Sequence, residues 1–227
     1  MSQPDLTAIA GTMPHADLTL VEEGSADLGR LPGRWRPIAA AAHPETRLAM
    51  ALDLWNPALL DALPRFAAGL RERFVDARPC LADGEPALLY LALHPDGHLL
   101  SWTGLDPAGF VEPQFWGHFP EPLRTFLREV HAGFTSGGYT AFGPVHPRHM
   151  QTVAEQAGEP DGLADWDEEQ EIASTRLLLV ASNGGMVNYC VSPDLEPGEL
   201  AIVFEGDIDP TPYGEALDRL LVRRLER

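Results

Sequence analysis

Leu177-Leu178-Leu179-Val180-Ala181-Ser182-Asn183-Gly184-Gly185-Met186-Val187-Asn188-Tyr189-Cys190-Val191 decides the fold class of this chain. Residues 177–181 form an apolar run of strand length, and residues 186–191 form a second one rich in β-formers. Asn183-Gly184-Gly185 between them is hairpin chemistry, because Asn and Gly tolerate the positive φ that a tight turn imposes. A third apolar run at 200–204 extends the hairpin into an antiparallel meander. Beyond it, residues 212–225 carry Leu217, Leu220, Leu221 and Leu225 on one helical face, the stripe needed to cover a sheet.

Upstream, Pro120 opens a helix whose Leu123, Phe126, Leu127 and Val130 fall at i, i+3, i+4 and i+7, and Gly133 stops it. A Gly-rich loop over 135–143 and a helix over 146–156 follow. In the first half, 87–93 and 98–103 read as a hairpin closed by His94-Pro95-Asp96-Gly97. Asn56-Pro57 opens a helix with Leu59, Leu63, Phe66, Leu70 and Phe74 at helical spacing, and Pro64 kinks it or divides it in two. Residues 18–23 read as a short strand, 31–36 as a loop, and 106–118 as an irregular segment anchored by Phe110, Phe115 and Trp116. With no linker and no repeat, the expectation is a flexible tail over 1–15 and one α+β domain over 16–227. That domain is a mainly antiparallel sheet flanked by helices, with its core mainly at 119–225 and the N-terminal portion adding a helix and a hairpin.

The negative charge is concentrated in the second half. Residues 151–214 hold 14 Asp and Glu against one basic residue, Arg176, in a chain of net charge −18. A field of that sign repels phosphate backbones and anionic lipid, so neither nucleic acid nor a membrane surface is an expected partner, whereas a basic protein is. All 16 basic residues are Arg, which removes Schiff-base, P-loop and kinase lysines. No signal peptide or membrane span is legible, so a cytoplasmic protein is expected. Cys80 and Cys190 read as reduced, partly buried thiols, with a disulfide left open.

Among candidate sites the acidic stretch Asp161, Asp165, Trp166, Asp167, Glu168, Glu169 and Glu171 comes first. As a docking surface it would set carboxylates in a basic cleft, with Trp166 as an apolar anchor inside a charged rim. The bland alternative is a solvated loop with Trp166 tucked into the core. Asp194, Glu196, Glu199, Glu205, Asp207 and Asp209 form a second acidic group that adds to the surface if it shares a face with the first. His94 and His98, and His146 and His149, invite a metal reading, but spacing brings no third ligand close; the simplest reading of His94 and His98 is a turn, and no metal or cofactor is expected. No nucleophile elbow or phosphate loop is present, and carboxylate pairs for hydrolysis stay a low-value alternative.

Three segments together resemble the SUKH superfamily, which contains many bacterial immunity proteins. They are Phe119-Pro120-Glu121-Pro122-Leu123-Arg124-Thr125-Phe126-Leu127 with Val130-His131-Ala132-Gly133, the hairpin and third strand over 177–204, and the terminal helix from near Tyr213. Phe119 stands where the family has Leu before its proline, and His131-Ala132 where it often has Asn. The resemblance spans residues 119–225. It implies a non-catalytic α+β domain that neutralises a cognate toxin by stoichiometric binding. A regulatory or scaffold protein of the same fold is the alternative; the sequence sets no oligomeric state.

Overall fold

The chain alternates short helices with strands that each pair antiparallel to a neighbour. The structure, a computed structural model, describes residues 17–137 and 140–226; the expected tail over 1–15 lies outside them. Before the first hairpin run β1 (Leu18–Leu20), α1 (Arg36–Ala40), α2 (Pro44–Leu52), α3 (Pro57–Ala62) and α4 (Pro64–Glu72). The strands β2 (Phe74–Ala82), β3 (Glu85–Leu93) and β4 (Leu99–Leu105) follow, then α5 (Glu121–Thr125), β5 (Phe134–Thr135) and β6 (Gly143–Pro144). The second half adds α6 (Val153–Gln156), α7 (Ala164–Glu169), β7 (Leu178–Ser182), β8 (Val187–Val191), β9 (Glu199–Phe204), β10 (Asp207–Pro212) and α8 (Tyr213–Glu226).

Two five-stranded sheets result, ordered β1-β2-β3-β4-β5 and β10-β9-β8-β7-β6. They meet where β5 and β6 turn back on each other: Ser136 N donates to Ala141 O at 2.9 Å. Gly143 makes this junction possible. Its φ is +154°, and a Cβ there would sit 1.9 Å from Phe134 O.

The meander and the closing helix stand as the sequence implies. Pro64 does divide the first-half helix into α3 and α4. Asn56 precedes α3 but its side chain makes no cap; Nδ2 instead donates to Pro122 O at 3.0 Å, tying α3 to α5. Elsewhere the structure corrects the reading. Of the loop expected over 31–36, residues 33–36 are helical, as a 3-10 turn that runs into α1. The helix expected over 146–156 is a 3-10 turn (Pro147–His149) and α6, broken because Thr152 caps α6 in a reciprocal capping box with Glu155. The helix from Pro120 ends in a π turn (Phe126–Val130), before Gly133 is reached. Four strands were not read from the sequence: the two-residue β5 and β6, and the longer β2 and β10. β2 carries Asp76, Arg78 and Pro79, but Pro79 faces the β1 side: its carbonyl accepts from Val21 N at 2.9 Å, so no ladder bond to β3 is lost. β10 is an edge strand with Asp207, Asp209, Pro210 and Pro212, residues that blunt an open edge.

One apolar cluster runs through both sheets and the helices between them. At its centre Trp55 packs on Phe126 and Phe134 with ring centroids 4.9 and 5.0 Å away, and Phe74 packs on Trp102 at 5.2 Å. The N-terminal portion therefore supplies four helices, four of the first sheet's five strands and much of the core, more than the helix and hairpin expected of it. Asp218 on α8 joins the two ends of the chain. It accepts Phe66 N at 2.7 Å and Arg65 Nε at 2.9 Å, capping α4 from another helix.

Candidate functional site

The acidic stretch folds as α7 and the turns on either side of it. Asp165, Trp166, Asp167, Glu168 and Glu169 lie on this single short helix, and Asp161 and Glu171 flank it. Two members hold the helix in place. Trp166 is half-buried against the core and its Nε1 donates to Ile172 O at 2.9 Å, so the tucked arrangement is adopted with part of the ring at the surface. Asp167 Oδ1 accepts Ser174 N at 2.7 Å, and Ser174 Oγ accepts Leu163 N at 3.0 Å, which closes the loop around the helix. The other five, Asp161, Asp165, Glu168, Glu169 and Glu171, are exposed, and none of them enters an ion pair among the described residues.

The second acidic group is split by the sheet. Arg176, just after the acidic helix, grips Asp194 through Nε and Nη2, the latter at 2.6 Å, and holds that carboxyl below its usual range. This brings the β8–β9 loop, with Asp194 and Glu196, beside the first stretch. Glu205 and Asp207 sit at the opposite end of β9, about 20 Å away along a six-residue strand. They do not share the face.

Five of the histidines fall into three environments. His131, absent from the sequence-based site candidates, is wholly buried; its Nε2 lies 2.8 Å from Tyr90 Oη, which also accepts from Trp55 Nε1 at 3.2 Å. Burial, followed by the nearby Arg34 charge, pushes its pKa down to about 3, and its Nδ1 has no hydrogen-bond partner among the described residues. Gly104 leaves room for the ring: a Cβ there would stand 2.6 Å from it. His146 and His149 flank Arg148, which holds Glu85 by two bonds of 2.6 and 2.7 Å; their ring centroids are 6.3 Å apart. His94 and His98 face each other across the β3–β4 turn, stacked with centroids 4.3 Å apart. Asp96 lies between them, the third converging group that spacing alone did not reveal. Their hydrogen bonds, His94's first, lower its pKa to about 2.

Cys80 and Cys190 are unbridged, one in each sheet, and are fully rather than partly buried; burial pushes both thiols up to about 12. Among the described residues no helix is long and apolar enough to cross a membrane. The two described clefts, of about 230 and 200 Å³, lie away from the acidic helix. One is walled by Glu22, Arg47 and Arg78, the other by Gln151, Gln156 and Asn188. The exposed carboxylates thus line an outward surface, an arrangement suited to docking on a large cationic partner. Comparison with family models, with curated proteins and with solved structures gives no match to this chain.

Proposed function

We propose that this chain is a non-enzymatic binding protein that neutralises a basic bacterial toxin domain, as the SUKH resemblance implies, acting in the cytoplasm. The observation that carries the reading is the group of five exposed carboxylates on α7 and its flanking turns, which have no ionic partners among the described residues. Mutual repulsion makes such a cluster unfavourable in the free protein, and a cationic cleft relieves it. The loop bearing Asp194 and Glu196 widens the same surface. The partner's active-site cleft, if it normally holds nucleic acid, is cationic and accepts carboxylates in place of phosphates.

The test is co-expression with the toxin domain encoded beside this chain, scored for host survival and co-purification. The expected result is rescue with a stoichiometric complex whose association slows as salt rises. Charge reversal at Asp165, Glu168 and Glu169 should abolish that salt dependence and weaken protection. Asp167 is left intact in this test because it holds the loop backbone. Protection that survives the triple reversal moves the interface elsewhere. Absence of both rescue and complex rejects the toxin reading.

A further inference from the structure

The turn His94-Pro95-Asp96-Gly97-His98 asks more of one oxygen than it can give. Asp96 Oδ1 lies 2.8 Å from His94 Nδ1, in contact with His98 Nδ1, and 3.1 Å from His98 N. When both rings carry their proton on Nδ1, three donors meet one oxygen that has about two lone-pair sites. The Asp96 amide also points at His94 Nδ1, 3.5 Å away. In the tautomer that accepts that bond, the imidazole lone pair faces the carboxylate, acceptor against acceptor. A cation bound by both groups at once relieves the conflict.

The backbone fixes these groups before any ion arrives. His94 N donates to His98 O and Gly97 N to His94 O, each at 2.9 Å. Gly97 takes φ +91°, open to glycine at no cost, and Pro95 fixes the other side of the turn. The rings are consequently held side by side, both with Nδ1 toward the same carboxylate. The ligating atoms all lie within 4.8 Å of one another. The His94 side chain is 11% exposed, whereas Asp96 and His98 face solvent, so the set has a firm base and an open approach.

We propose that this turn binds one divalent transition-metal ion, with zinc the best fit to its donors, through His94 Nδ1, Asp96 Oδ1 and His98 Nδ1. Two imidazoles and one carboxylate suit zinc, copper or nickel rather than magnesium or calcium, which take oxygen donors. Three protein ligands leave a fourth position to water or to a donor from a partner. Binding displaces whatever protons the Nδ1 atoms carry, so protons compete with the metal. The site is independent of the acidic helix.

The experiment is calorimetric titration of the tag-free full chain with zinc chloride, alongside magnesium and calcium chlorides. His98→Ala tests the site, since His98 is half-exposed at a turn, and His149→Ala serves as the control. The expected result is one zinc per chain, at least roughly tenfold weaker binding in His98→Ala, and no change in His149→Ala. Far-UV circular dichroism confirms that the metal-free variants keep their fold; should His98→Ala fail this check, zinc-induced NMR shifts confined to residues 94–98 of the unaltered protein carry the test instead. No saturable zinc binding, equal binding of magnesium or calcium, binding undiminished in His98→Ala, binding lost in His149→Ala, or zinc-induced shifts centred elsewhere would each overturn the assignment.

Discussion

The two sheets treat charge in opposite ways. Beside the first, Asp76 is wholly buried and clamped by Arg47 through two bonds of 2.8 and 2.7 Å, while Arg47 also donates to Ala41 O and Ala42 O. Arg78 lies 3.9 Å beyond and reaches out to Glu22. Beside the second, the carboxylates of α7 and its flanking turns stand in water without ionic partners. A charge in a low-dielectric interior has to be paired and hydrogen-bonded, and its removal is felt by the whole fold. A charge in water needs no partner, costs the fold little, and leaves its field available to another molecule. The buried Arg47–Asp76 pair is therefore expected to govern stability, and the exposed carboxylates of α7 and its flanking turns to govern association.

The largest effect should come from splitting the buried pair. Asp76→Ala leaves Arg47 buried without its counter-ion and should lose about 3–5 kcal/mol, measured as a shift in the denaturation midpoint at constant slope. The double change Arg47→Met with Asp76→Leu, which removes both charges and keeps bulk, should recover much of that loss. A single-variant loss below about 1 kcal/mol would remove the contrast between the two sheets.

A smaller effect, also beside the first sheet, is set by pH. His131 is neutral in the folded protein, with its pKa held near 3, whereas in the unfolded chain it titrates near the ordinary imidazole value of 6.5. Below the latter the unfolded state binds the extra proton. The stability that His131 contributes is thus complete above about pH 6.5 and is lost progressively as pH falls toward 3. Between pH 7 and pH 5 the loss is about 2 kcal/mol. His146 and His149 are displaced in the same direction, so attribution needs a variant. His131→Phe should flatten the profile between those two pH values, read by chemical denaturation at each. An unchanged slope in the variant assigns the effect to the other two.

What was legible in the sequence follows the same division. The meander over 177–204 and the helix after it announced themselves because their apolar periodicity matches their burial. β2 was hidden because a central strand rarely contains Asp, Arg and Pro. It tolerates all three because Arg47 neutralises Asp76 and Pro79 points to the side where β1 has ended. The acidic stretch was legible as charge, but its partition was not. That Trp166 is half-buried and that Asp167 holds a backbone amide depends on Ile172 and Ser174, six and seven residues on, through a loop whose closure composition does not encode. Asp96 was missed as a third group beside two histidines because its position is a property of the turn's backbone. His131 was missed because its partner Tyr90 lies 41 residues away.

The smallest expected effect is the most discriminating. On α7, Asp165 stands three and four residues before Glu168 and Glu169, so these carboxylates neighbour one another on the helix surface and repel. Glu168 and Glu169 also close the helix, where the backbone dipole disfavours anions. Neutralising the three as Asp165→Asn, Glu168→Gln and Glu169→Gln should leave thermal stability unchanged or raise it by about 0.5 kcal/mol at low ionic strength, with the gain fading as salt screens the repulsion. The same substitutions should slow association with a basic partner. The two signs must differ: a surface kept for binding retains charges that its own fold is better without. If the neutralised protein is instead less stable by more than about 1 kcal/mol, the carboxylates hold the structure together, and the outward surface loses its claim to be a docking site.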